Sequence, residues 1–89
     1  MSTALAPPPV EQELSTLRTA HEEAYIEYVL ERKKTDRLLD GAGSGLRGVA
    51  FEAFVRQETI AQRAFERYRQ LRRAYLDLLE ETALQSSNN

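Results

Sequence analysis

The stretch DGAGSGLRGVAF, Asp40 to Phe51, decides the fold, because it holds all four glycines of an 89-residue chain and separates two long segments free of glycine and proline. Within it Gly43-Ser44-Gly45-Leu46-Arg47-Gly48 matches the G-x-G-x-x-G pattern of nucleotide-binding loops. In dinucleotide-binding folds such glycines follow a buried strand. Here the preceding residues, Glu31 to Leu39, are charged at helical spacing and cannot form a buried parallel strand. A Gly-Lys-Ser/Thr phosphate loop is also missing. The stretch therefore reads as a turn. Its glycines permit positive backbone φ, and Ser44 is available to cap the helix that follows.

Outward from the turn, Val10 to Leu39 contains nothing that breaks a helix. Glu11 and Glu13 open the segment and Lys33, Lys34 and Arg37 lie toward its end, as the helix dipole prefers. Asp40-Gly41 supplies a stop, glycine being able to take the left-handed conformation that ends helices. The second segment runs uninterrupted to Leu84. Pro7-Pro8-Pro9 favours extended chain before a helix, with the last proline suited to the first helical turn. The expected organisation is a Pro-rich tail over 1–9, a hairpin over 10–85 (helix 10–40, loop 41–47, helix 48–84) and a frayed tail over 86–89. Long helices joined by a short loop pack antiparallel, so the fold class is all-α, a two-helix hairpin.

Both segments carry a mostly apolar series in steps of four and three, the rhythm of a helix seam, interrupted by a few polar residues. The first gives Val10, Leu14, Leu17, His21, Ala24, Tyr28, Glu31, Thr35 and Leu38; the second gives Phe51, Phe54, Glu58, Ala61, Phe65, Tyr68, Arg72, Tyr75, Leu79 and Thr82. Folding about Ser44 brings Leu14 near Tyr75, Leu17 near Leu71 and Arg72, His21 near Tyr68, Ala24 near Phe65 and Tyr28 near Ala61. The same register lays Glu22, Glu23 and Glu27 beside Arg63, Arg67, Arg69, Arg72 and Arg73. Such pairs are weak singly but disfavour other registers as a set.

One seam does not use all the apolar residues. Ile26 and Leu30 fall nearly opposite the first seam, and the second segment is apolar over an arc of about 160°, adding Ala64, Leu71, Leu76, Leu78 and Ala83. Burying a Leu or Ile side chain contributes roughly 1.5 to 3 kcal/mol, so a lone hairpin forgoes much of its available stability. The sequence thus predicts a homodimer forming a four-helix bundle, or a complex in which a partner helix covers the same surface. The expected interface residues are Ile26, Leu30, Tyr28, Phe54, Phe65, Tyr68, Arg72, Tyr75 and Leu76.

Composition excludes several classes of function. There is no cysteine, hence no disulfide or thiol nucleophile. The formal charge of −2 provides no global attraction to nucleic acid or anionic lipid. No segment is apolar enough to span a membrane, and the first residues lack the pattern of a signal peptide, which points to the cytoplasm. His21 is the only histidine, and the Glu-x-x-His pairs of di-iron bundles are missing: Ala61 follows Glu58 by three, and Lys34 follows Glu31. No cofactor, metal or small-molecule substrate is expected, and the chain reads as no enzyme but as an interaction module, an adaptor, accessory or chaperone-like protein. The alternative is a small regulator that binds nucleic acid through Arg56, Arg63 and Arg67, although on a helical wheel the arginines split between the two sides of the apolar arc. The loop lacks a Trp-x-Gly motif, and no family resemblance is identified.

Overall fold

A computed structural model describes residues 9–41, 45 and 47–87. Two helices, α1 (Pro9–Gly41, 33 residues) and α2 (Val49–Ser87, 39 residues), pack against each other, with no strand among the described residues. Pro9 opens α1, where a missing N–H costs nothing, and Glu11 occupies the first turn. At the other end α1 runs on to Gly41, so its last turn holds Asp40 and none of the basic residues expected to close it. The α2 helix begins at Val49, and the Glu52 amide donates to the Gly48 carbonyl at 3.0 Å. Gly48, with φ of 58°, therefore holds the capping position that the sequence assigned to Ser44. Ser44 itself lies outside the described residues, as do 1–8 of the Pro-rich tail. The α2 helix also reaches Ser87, beyond the expected end at 84.

Antiparallel packing follows the expected register near the loop, whereas farther along Tyr75, expected beside Leu14, stacks on His21, and Tyr28, expected beside Ala61, meets Phe65. Gln57 lies opposite Glu31 and Glu58 opposite Arg32, as folding about the glycines requires. All nine residues of the α1 seam are buried or half-buried. The α2 seam differs. Phe54, Gln57, Ala61, Ala64, Tyr68, Leu71, Tyr75, Leu78 and Thr82 are shielded, with Ala53 and Glu58 half-buried beside them, while Phe51, Phe65, Arg72 and Leu79 are exposed. Relative to the sequence expectation the helix is rotated at alternate layers, one residue back at each. Residue size and charge explain the choice. Ala61 and Ala64 are buried, as Ala24 is, and such small residues permit close approach of the helices, while Leu71 takes the place where Arg72 would have buried an unpaired guanidinium.

The resulting core is thin. Its buried hydrophobic residues are Ala24, Ala61 and Ala64, and Thr35 is the one fully buried larger side chain. The Thr35 hydroxyl donates to the Glu31 carbonyl at 3.2 Å, which satisfies it within its own helix. The molecule measures 66 × 29 × 15 Å, so it is a single layer about one helix thick. Among the described residues no helix is long and apolar enough to cross a membrane.

Candidate functional site

Three features along the hairpin carry polar or aromatic chemistry. The first is a polar layer near the loop. Gln57 Nε2 donates to the Glu31 carbonyl at 3.0 Å and to Glu31 Oε1 at 2.9 Å, and Lys34 Nζ approaches Glu31 Oε2 at 3.3 Å. The Gln57 amide, aided by Lys34, holds the Glu31 carboxyl below its ordinary range, against desolvation that pushes it up. Glu58 turns instead to Arg32 at 3.6 Å. The two glutamates are thus engaged separately, and no group of three or more metal-ligating side chains occurs among the described residues. The partner that organises Glu31 is Gln57, which was missed because the expected seam ran through Glu58.

The second feature is an aromatic run at mid-hairpin. His21 stacks on Tyr75 at 5.0 Å and lies 6.3 Å from Tyr68, with both rings nearly parallel to the imidazole. Tyr68 and Tyr75 are a heptad apart, about 10.5 Å along a helix, which is the spacing that admits one flat ring between them. Tyr25 meets Tyr68 at 5.2 Å, and Tyr28 meets Phe65 at 5.0 Å. The expected neighbours His21 and Tyr68 are therefore together, whereas Phe65, expected against Ala24, sits at the flank beside Tyr28. The buried His21 Nδ1 has no hydrogen-bond partner among the described residues. The imidazole is held by stacking between the two tyrosine rings rather than by hydrogen bonds of its Nδ1.

The third feature is the exposed apolar surface. Among the described residues twelve large hydrophobic side chains are exposed, Ile26 at 58% and Leu30 at 52% on the back of α1, with Phe51, Val55, Phe65, Leu76 and Leu79 along one flank of α2. The nine residues expected to form an interface divide accordingly. Tyr28, Phe54, Tyr68 and Tyr75 are half-buried within the hairpin; Phe65, Arg72 and Leu76 lie on the α2 flank; Ile26 and Leu30 lie on α1 away from the seam. They do not share one face. Ile26 borders an open depression of about 510 Å³ with His21, Tyr25 and Tyr68.

Charges are arranged more sparingly than the sequence suggested. Of the acidic and basic runs expected to pair across the hairpin, Glu27 reaches Arg67 at 4.0 Å, and the other inter-helix bridge, Arg32 with Glu58, was not anticipated. Glu22 pairs within its own helix with Arg18 at 3.8 Å, and Arg69 with Glu66 at 3.1 Å. Glu22 and Glu23 are both exposed on α1. Arg56, Arg63 and Arg67 are exposed together on the α2 flank opposite Phe65, with Arg67 tied to Glu27. Comparison with family models, curated proteins and solved structures gives no match to this chain.

Proposed function

We propose that the chain is a non-enzymatic helical interaction module of the cytoplasm that dimerises into a four-helix bundle and binds a partner protein, as an adaptor, accessory or chaperone-like component. One observation carries this reading: the core consists of three alanines and a threonine, while twelve large hydrophobic side chains stay exposed. Monomeric proteins rarely leave large contiguous apolar patches in water, and such surfaces mark contacts with other chains. Light scattering across a concentration series tests it directly. A dimer is expected, with Ile26→Glu plus Leu30→Glu weakening assembly if the back of α1 takes part. A helical species of monomer mass at every concentration, retaining no protein partner in pull-down, would refute the proposal.

The grouping of Arg56, Arg63 and Arg67 on one flank supports a second reading, binding of nucleic acid. It requires a mobility shift that weakens steeply with salt and disappears on Arg63→Ala plus Arg67→Ala.

A further inference from the structure

The exposed flank of α2 is laid out symmetrically about Phe65. Phe51, Val55, Glu58, Gln62 and Phe65 follow one another in steps of four and three, and the same rhythm continues through Arg69, Arg72, Leu76 and Leu79. This is a second seam beside the one used against α1. Glu58 stands seven residues before Phe65 and Arg72 seven after; Phe51 stands fourteen before and Leu79 fourteen after. A twofold axis through Phe65 therefore brings Glu58 onto Arg72 of a second copy, twice, and Phe51 onto Leu79, also twice. Phe65 meets itself.

We propose that α2 pairs antiparallel with α2 of a second copy of this chain along this flank, with the twofold axis at Phe65. The inference rests on the reading that the chain self-associates, and it names the surface and direction of that contact. Three observations select it. Arg72 is exposed and makes no ion pair in its own chain among the described residues, whereas neighbouring Arg69 is held by Glu66 at 3.1 Å and lies over the Phe65 ring at 5.8 Å. Glu58 stays about one-third exposed, and because Arg32 and Gln62 both engage its Oε1, Oε2 is left for a second guanidinium. Finally, an open depression of about 640 Å³ beside Phe65 and Leu76 lies level with where the twofold places Val55 of the second copy. A parallel pairing in register would set Arg72 against Arg72 and Glu58 against Glu58, which like-charge repulsion disfavours.

The test is a charge swap read by sedimentation equilibrium on the full chain. Because the twofold doubles each contact, Glu58→Arg and Arg72→Glu should each weaken the dimer about tenfold or more, and the two together should restore it to within about threefold of the parent. Glu58→Arg also breaks the Arg32 contact, but Arg72→Glu disturbs no ion pair of its own chain, and rescue by the double variant cannot come from the Arg32 contact. Spin labels at Arg73→Cys and Glu80→Cys, in a chain free of other cysteines, should report axial separations of about 24 and 45 Å at a rise of 1.5 Å per residue. A dimer indifferent to Arg72→Glu, or one with equally short distances at both labels, would overturn this contact and leave self-association standing. A monomer throughout the concentration range would overturn both.

Discussion

Tyr68 links the aromatic side chains of the two helices. It meets Tyr25 at 5.2 Å, His21 at 6.3 Å and Phe65 at 6.5 Å, joining the α1 aromatics to those of α2. Truncating a fully buried large aromatic to alanine costs about 3 to 5 kcal/mol. Tyr68 is half-buried, which brings that contribution to about 2 kcal/mol, and loss of three ring contacts adds about 1 kcal/mol. Tyr68→Ala should therefore destabilise the chain by about 3 kcal/mol. A protein of this size has roughly 5 to 13 kcal/mol in all, so the melting temperature should fall by about 15 °C. Urea unfolding and thermal melts followed by circular dichroism, at one fixed protein concentration, measure both quantities. The Tyr68 hydroxyl makes no hydrogen bond among the described residues, so Tyr68→Phe should stay within about 0.5 kcal/mol of the parent. A loss below about 1 kcal/mol for Tyr68→Ala, or equal damage from Tyr68→Phe, would refute the role given to ring packing.

The lowered pKa of Glu31 means that its contribution to stability is present above the ordinary value of 4.5 and is lost as pH falls through the lower folded value. Urea midpoints on the acid side should therefore drop, and Gln57→Leu, which removes the largest cause of the shift, should flatten that dependence; an unchanged slope would count against the polar layer. Ala61 is 2% exposed between the helices, so the longer side chain of Ala61→Leu should push against the facing helix and cost about 1 to 3 kcal/mol in the same unfolding assay rather than gain from added apolar area. At Gly48 an added Cβ would meet nothing within 4 Å, but φ of 58° is unfavourable for other residues. Gly48→Ala should cost about 1 kcal/mol through backbone conformation alone, and a thermal melt identical to the parent's would contradict the conformation assigned there.

Much of the hairpin was legible before any coordinates. Uninterrupted segments on either side of the glycines imply two long helices, and the charged residues before Gly43 remove the phosphate-loop alternative. The four-three rhythm in α1 picks out Leu14, His21, Ala24, Tyr28 and Thr35 because that helix has one apolar stripe flanked by charge. In α2 the same rhythm is ambiguous, since residues one step apart, such as Ala64 and Phe65 or Leu71 and Arg72, satisfy it equally.

The chain's own sequence thus determined helix content, the place of the turn and the antiparallel direction of the helices, because these depend on local backbone preference and on the spacing of residues along each helix. Only packing in three dimensions decided which side of α2 faces α1. That choice weighs how near two backbones can approach and which polar groups find partners across the contact, as Gln57 does with Glu31, and neither quantity exists until both helices are in place. By turning small residues inward, the hairpin leaves Phe65 and its neighbours on the outside.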